Sequence, residues 1–130
     1  LEVVVEPDEI KDWNYDGKKI VVTWQKPFAP REVRKLIVSY SVSHPLNGLY
    51  FSTAPYGIPL SSVTDLETER ARYWLPCVDF PQIRTTLNIQ LKVPKGFSGV
   101  ANGAFVGKKE LEDGHDQYEF KLDFPCPSYL

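Results

Sequence analysis

Two segments of the chain alternate strictly between apolar and polar residues. Residues 87–93 place four apolar side chains on one face and three polar side chains on the other. Residues 118–124 repeat this pattern without interruption. Because successive side chains of a β-strand point to opposite faces, each segment predicts a strand with one buried face and one solvated face.

Shorter apolar segments predict four further strands, at residues 1–5, 20–24, 36–42 and 99–106. Turn-forming sequences separate the segments: Asp16-Gly17, Asn47-Gly48, Pro94-Lys95-Gly96 and Asp113-Gly114. No long stretch carries an apolar stripe of helical period, and the best helical candidate is about one turn over residues 67–73. Antiparallel strands with one dry face need a second layer to cover that face. We therefore expect an all-β chain that folds as an antiparallel β-sandwich.

The bulk composition is that of a soluble globular protein. The 130 residues are 42% apolar and 25% charged, which suits one domain over residues 1–130 with a hydrophobic core. A net charge of −2 gives no electrostatic reason to expect nucleic acid, and the pairs Lys18-Lys19 and Lys108-Lys109 are expected to lie in solvated turns. No apolar run approaches the roughly 20 residues of a membrane-spanning helix.

The two ends of the sequence predict a piece of a longer protein. The chain contains no methionine, begins without a secretory signal and ends on apolar residues. Its compartment would then be a property of the parent, and the visible sequence favours the cytoplasm. A domain cut from its neighbours should expose an apolar face or an unpaired strand edge where those neighbours pack.

Known catalytic and metal-binding motifs are absent from the sequence. His44 and His115 are its only histidines, and neither belongs to a His-Glu-x-x-His motif. There is no Cys-x-x-Cys pair, no glycine-rich phosphate loop and no Gly-x-Ser-x-Gly turn. We therefore expect no catalytic residue, no metal ligand and no cofactor in this chain.

The two cysteines, Cys77 and Cys126, leave two interpretations open. They could form a disulfide if the fold brings them together. Without a secretory signal, two free buried cysteines are the favoured alternative. Cys77 could also be imagined as a nucleophile, but its Pro-Cys-Val context contains nothing that stabilises a thiolate.

Residues 64–81 combine acids, arginines, a tryptophan and two prolines without a helical or strand period. Such density is typical of a structured loop that positions a side chain. The segment resembles the signature of the amino-terminal domain of zinc aminopeptidases, the family that includes aminopeptidase N and leukotriene hydrolase. That signature runs approximately Thr-Gln-x-Glu-x-x-x-Ala-Arg-x-x-Phe-Pro-Cys-x-Asp-x-Pro. The matching residues are Thr64, Glu67, Ala71, Arg72, Pro76, Cys77, Asp79 and Pro81, whereas Asp65 replaces the glutamine and Leu75 the phenylalanine.

The resemblance implies a saddle-like β-sandwich that lies over a separate catalytic domain. Zinc would be held by that missing domain, which would be the partner of this chain. Glu67 would bind the free α-amino group at the amino terminus of a peptide substrate. A carboxylate suits this role because it accepts charge-assisted hydrogen bonds from an ammonium group, each worth about 1.5–3 kcal/mol. By residue type alone, Glu67 would instead be an exposed loop acid.

The other signature positions divide into one uncertain residue and a structural set. Asp65 stands where the family places a glutamine near the substrate, so it could favour basic substrates or simply be solvated. An Arg72–Asp79 ion pair could pin the loop, and Cys77 could pack as a small apolar side chain. We interpret five positions as structural: Arg72, Pro76, Cys77, Asp79 and Pro81.

Two alternatives to an enzyme domain remain open. Some proteins with this domain arrangement have lost the zinc site and serve as scaffolds, and a TBP-associated transcription factor has a motif similar to residues 72–79. Glu67 discriminates between these readings, because a scaffold has no need of an amine-binding carboxylate. A free-standing ligand-binding β-sandwich is the third interpretation.

Overall fold

The computed structural model describes residues 3–6, 9–52 and 60–130. Nine strands lie in these ranges: β1 (Val3–Glu6), β2 (Ile10–Tyr15), β3 (Ile20–Trp24), β4 (Ile37–Tyr40), β5 (Leu49–Ser52), β6 (Ser61–Thr64), β7 (Thr85–Pro94), β8 (Ala104–Glu110) and β9 (His115–Cys126). The helical structure in the same ranges is a 3₁₀ helix at Ala71–Tyr73. It occupies the end of the predicted helical turn at residues 67–73.

Every strand pair in the described ranges is antiparallel. β1 pairs with β4, β2 with β3 and β5 with β6, while β7, β9 and β8 form a three-stranded sheet in that order. The predicted all-β, antiparallel class is therefore confirmed. The hairpin between β2 and β3 turns at Asp16-Gly17 as predicted, because the Asp16 carboxylate accepts hydrogen bonds from the backbone N–H groups of Lys18 and Lys19.

The three-stranded sheet carries the main apolar face of the described chain. Along β7, half-buried and exposed residues alternate from Leu87 to Val93, as the sequence pattern predicts. The apolar residues of β7 pair across the sheet with those of β9: Leu87 with Leu122, Ile89 with Phe120 and Leu91 with Tyr118. The ring of Phe105 on β8 packs at 5.4 Å against Phe120, which is buried. These cross-strand pairs stabilise the sheet.

The predicted strand at residues 99–106 is shifted towards the carboxyl terminus in the structure. The chain that follows β7 first folds back over the sheet, where the Tyr118 hydroxyl donates to the carbonyl oxygen of Phe97 at 3.1 Å. Gly99 lies so close to Tyr118 that a Cβ on it would be 3.1 Å from the ring. β8 therefore begins only at Ala104 and continues to Glu110.

Other sequence predictions need correction in detail. Lys108-Lys109 lies in β8 rather than in a turn, because both residues pair with β9. Lys108 Nζ also forms an ion pair at 2.8 Å with Asp116, whose side chain is fully buried. Phe124, expected on the dry face of β9, is 80% exposed. Strands β2, β5 and β6 were not predicted. For the strand expected at residues 1–5, β1 contains residues 3–5, whereas residues 1 and 2 lie outside the described ranges.

The chain exposes more surface than a self-contained domain of its size. Its accessible area is 10212 Å², whereas a folded monomer of 14.9 kDa typically exposes about 7,000 Å². Large apolar side chains contribute to this area, including Phe124 and Val100, which is 86% exposed. Within the described ranges, no helix combines the length and apolar character needed to cross a membrane.

Candidate functional site

Residues 65–84 connect β6 to β7 and begin with a tight loop at residues 65–70. The N–H of Asp65 donates to the carbonyl oxygen of Gly48 at 3.1 Å, which ties the start of the loop to the beginning of β5. The N–H of Arg70 donates to the carbonyl oxygen of Leu66 at 3.1 Å and closes the loop around Glu67. Ala71, which is fully buried, then begins the 3₁₀ helix.

Gly48 packs directly against the end of this loop. Its φ angle is +81°, and a Cβ placed on it would lie 2.4 Å from the carbonyl oxygen of Arg70. Both features require glycine, because L-residues with a side chain rarely adopt that φ and no side-chain atom fits in that gap. The turn at Asn47-Gly48, predicted from its composition, therefore also holds the 65–70 loop in place.

Three carboxylates lie in the loop, and two of them are paired with arginines. Asp65 forms an ion pair with Arg70, and Glu69 lies 3.4 Å from the guanidinium of Arg72. Glu67 is exposed, and no residue within the described ranges forms a hydrogen bond or an ion pair with it. Glu67 is therefore the carboxylate of the loop whose charge is left uncompensated by the described residues.

Asp79 is the buried polar centre of the segment. One oxygen of its carboxylate accepts hydrogen bonds from the backbone N–H of Arg72 at 3.1 Å and from Arg72 Nε at 3.0 Å. Its other oxygen accepts a hydrogen bond from the hydroxyl of Ser128, and Arg72 Nη2 donates to the Asp79 carbonyl oxygen at 2.6 Å. The ion pair expected between Arg72 and Asp79 is thus present. It fastens the segment both to itself and to the carboxyl-terminal residues.

These contacts decide the ionisation of Asp79. Burial acts to raise the pKa of this carboxyl, but the hydrogen bonds from Ser128 and Arg72 and the charge of Arg72 outweigh it. The pKa of Asp79 is therefore lowered below its ordinary value of 3.8. A group whose pKa is lower in the folded state stabilises the fold above its unfolded pKa, and this stabilisation is lost as the pH falls towards the folded value.

Replacing Asp79 by asparagine should lower the free energy of unfolding by about 2 kcal/mol at pH 7, because hydrogen bonds to a charged, buried group are lost. The difference between the two proteins should stay constant above about pH 5 and shrink as the pH falls below about 4. Urea unfolding of both proteins between pH 3 and pH 7 would measure this.

Asp123→Asn is the matched control, because Asp123 is also paired with a cation, Lys121, but its side chain is 71% exposed. It should change the free energy of unfolding by less than about 0.5 kcal/mol. An Asp79→Asn deficit that stayed constant down to pH 3 would contradict the assignment of the stabilising charge to Asp79.

Both cysteines are free in the structure. Cys126 is buried as expected, but Cys77 is exposed, because it lies on irregular surface backbone after Pro76. Although the residue is exposed overall, desolvation of the thiol and the charge of Asp79 raise the pKa of Cys77, while Arg72 acts in the opposite direction. A raised pKa does not suit a nucleophilic thiolate.

The remaining signature positions lie on the surface of the segment. Pro76 and Pro81 are exposed and flank the irregular backbone that contains Asp79. The indole N–H of Trp74 is buried and finds no acceptor among the described residues. Sequence reasoning did not identify Gly48, Arg70 or Ser128 as parts of this site, since only the folded chain brings Gly48 and Ser128 to it.

The described residues contain no group of three or more histidine, cysteine, aspartate or glutamate side chains that could hold a metal ion. A zinc ion in a protein needs three or four such ligands. The donor set in this part of the chain therefore does not fit a zinc ion.

Comparisons with known proteins agree with the resemblance seen in the sequence. The family model described as "Peptidase M1 N-terminal domain" matches residues 5–130. Leucine aminopeptidase 2 from Candida glabrata is 31% identical over 118 residues, which are 88% of this chain and 17% of that protein.

Solved structures show the same similarity. A two-domain M1 zinc metallopeptidase, crystallised as a mutant bound to L-arginine, matches 98% of this chain and 29% of its own chain with a TM-score of 0.77 and 25% identity. An M1 zinc metallopeptidase from Deinococcus radiodurans matches the same shares with a TM-score of 0.75 and 21% identity. The chain thus spans less than a third of each of these relatives. The shared fold confirms the predicted fold class.

Proposed function

The chain belongs to the peptidase M1 N-terminal domain family, and we propose that it serves as the non-catalytic amino-terminal domain of a zinc aminopeptidase. In this proposal Glu67 binds the free α-amino group of the peptide substrate. The observation that carries the proposal is the charge arrangement of the 65–70 loop. Asp65 and Glu69 are already paired with arginines, whereas Glu67 is exposed and has no partner among the described residues.

An unpaired carboxylate on a tied loop is well suited to bind an ammonium group. Loss of a compensating partner costs little at an exposed position, so the free protein can keep Glu67 available. Once a substrate covers the site, charge-assisted hydrogen bonds to the ammonium become stronger because water is excluded. The backbone ties at Asp65 and Arg70 fix where the peptide begins, so binding also sets the distance from the amino terminus to the reacting bond.

The extensive exposed surface supports a second domain as the partner of this chain. Large apolar side chains lie exposed on the described part of the chain, among them Val100 at 86% and Phe124 at 80%, as they do on surfaces that pack against another protein surface. We propose that the catalytic domain of the parent protein covers part of this surface. Because the described residues do not fit a zinc ion, the proposal places the metal in that domain.

The isolated chain should neither bind zinc stoichiometrically nor hydrolyse an aminoacyl anilide, whereas the full-length parent protein should do both. The reason is that the proposal assigns zinc binding and catalysis to the other domain and only substrate binding to this chain. Metal analysis of the purified proteins and an anilide hydrolysis assay would measure this. An N-acetylated anilide serves as the control substrate, because it lacks the charged amine that Glu67 would bind.

Two results would contradict the proposal in different ways. A folded full-length protein without zinc and without hydrolysis would support the zinc-less scaffold instead. Equal hydrolysis of the free and N-acetylated substrates would show that the parent protein is an enzyme, but would contradict the amine-binding role of Glu67.

A further inference from the structure

One side-chain contact bridges the two ends of the 65–70 loop. Arg70 Nη1 donates to Asp65 Oδ2, and these two residues flank Glu67 along the chain. The two side chains are 37% and 57% exposed, so the contact lies at the surface. An exposed ion pair contributes little to global stability, which leaves room for a local role.

Without Asp65, Arg70 would have another carboxylate within reach. Glu67 precedes Arg70 by three residues in the same closed loop. The backbone hydrogen bond from the Arg70 N–H to the carbonyl oxygen of Leu66, at 3.1 Å, joins Arg70 to the residue next to Glu67. A released Arg70 guanidinium has the length and charge to form an ion pair with Glu67.

We propose that Asp65 is a positioning residue that holds Arg70 in an ion pair and thereby keeps Arg70 from neutralising Glu67. This inference rests on the proposed amine-binding role of Glu67. The sequence left two roles open for Asp65, selection of basic substrates and simple solvation. The proposed role differs from both, since the partner of Asp65 is Arg70 rather than a substrate or solvent. In this arrangement the negative charge of Asp65 is compensated, so it does not select for basic substrates.

The proposal makes an unusual prediction for the full-length protein. Asp65→Asn should raise KM for a free-amine anilide by about fivefold, because Arg70 then competes with the substrate for Glu67. The kcat should change by less than about twofold, since saturating substrate displaces the competing guanidinium. Arg70→Gln should not raise KM, because no competing guanidinium remains.

The double variant separates this mechanism from a merely structural clamp. Asp65→Asn combined with Arg70→Gln should restore KM to the value of Arg70→Gln alone. A clamp predicts the opposite pattern, in which either single substitution raises KM and the double variant shows no recovery. An unchanged KM in Asp65→Asn, or no recovery in the double variant, would overturn the proposal.

Two further measurements complete the test. Glu110→Gln is the matched control, because Glu110 forms an exposed pair with Lys95 at 2.9 Å outside the loop, and it should leave KM unchanged. A crystal structure of the Asp65→Asn protein should place the Arg70 guanidinium on Glu67, and an unmoved Arg70 would overturn the proposal. If Glu67→Gln leaves KM for the free amine unchanged, the proposed function itself fails. If Glu67→Gln raises KM and Asp65→Asn does not, only the positioning role of Asp65 fails.

Discussion

Replacing Glu67 by glutamine in the full-length protein should lower kcat/KM for peptides with a free amino terminus by about 100- to 1,000-fold. Glutamine keeps the size of the side chain and one carbonyl acceptor, so the substitution removes mainly the negative charge. One or two charge-assisted hydrogen bonds to the ammonium, each worth about 1.5–3 kcal/mol, account for a loss of this size. Steady-state kinetics with a dipeptide or an aminoacyl anilide would measure it.

Glu69→Gln is the matched control for this prediction. Glu69 lies two residues further along the same loop and carries the same charge, but its carboxylate already faces Arg72. Its substitution should change kcat/KM by less than about threefold. The N-acetylated substrate should be insensitive to both variants. Unchanged kcat/KM in a folded, zinc-loaded Glu67→Gln protein would refute the amine-binding role.

The sequence predicts a strand best where its environment is uniform along its length, as in β7. β7 lies at one edge of the three-stranded sheet and alternates regularly between half-buried and exposed residues from Leu87 to Pro94, whereas β9, at the centre, alternates in this way only from Phe120 to Asp123. Periodicity of two residues records that environment directly. The turn at Asp16-Gly17 was equally predictable, because its hydrogen bonds lie within a few residues of one another.

Short strands without an apolar alternation, and the exposed end of β9, were not predicted correctly. β5 and β6 are four residues long each, and β6 consists of Ser61-Ser62-Val63-Thr64, which shows no apolar alternation. Phe124 continues the alternation of β9 but lies where the described chain leaves the strand uncovered. Alternation indicates which residues share a face of the strand. It does not show at which residue the packing of other side chains against that face ends.

The candidate site shows the same division between local and distant information. The signature residues Arg72 and Asp79 could be expected to pair, because seven positions separate them on one irregular segment. The hydroxyl of Ser128 reaches the same carboxylate from 49 residues away, and nothing in its own neighbourhood signals that contact. The close approach of Gly48 to Arg70 was equally unpredictable, since the composition of Asn47-Gly48 predicts a turn but not which residue packs against it.

Replacing Gly48 by alanine should destabilise the protein by about 3 kcal/mol and displace the loop that carries Glu67. About 1–2 kcal/mol follows from the φ angle of +81°. The remainder arises because the new Cβ would lie 2.4 Å from the backbone oxygen of Arg70, which must move by about 1 Å. A displacement of that size at a substrate-binding group can cost about 100-fold in kcat/KM.

Gly114→Ala separates the two causes, because Gly114 has the same φ of +81° but nothing within 4 Å of the position of a Cβ. It should cost only the conformational part, about 1–2 kcal/mol, and leave kcat/KM unchanged. Urea unfolding gives the stability difference, and free-amine kinetics on the folded variants gives the displacement of Glu67. Equal losses of stability in the two variants would show that Gly48 is required for its φ angle alone. In that case the contact between Gly48 and Arg70 would not be what fixes the 65–70 loop.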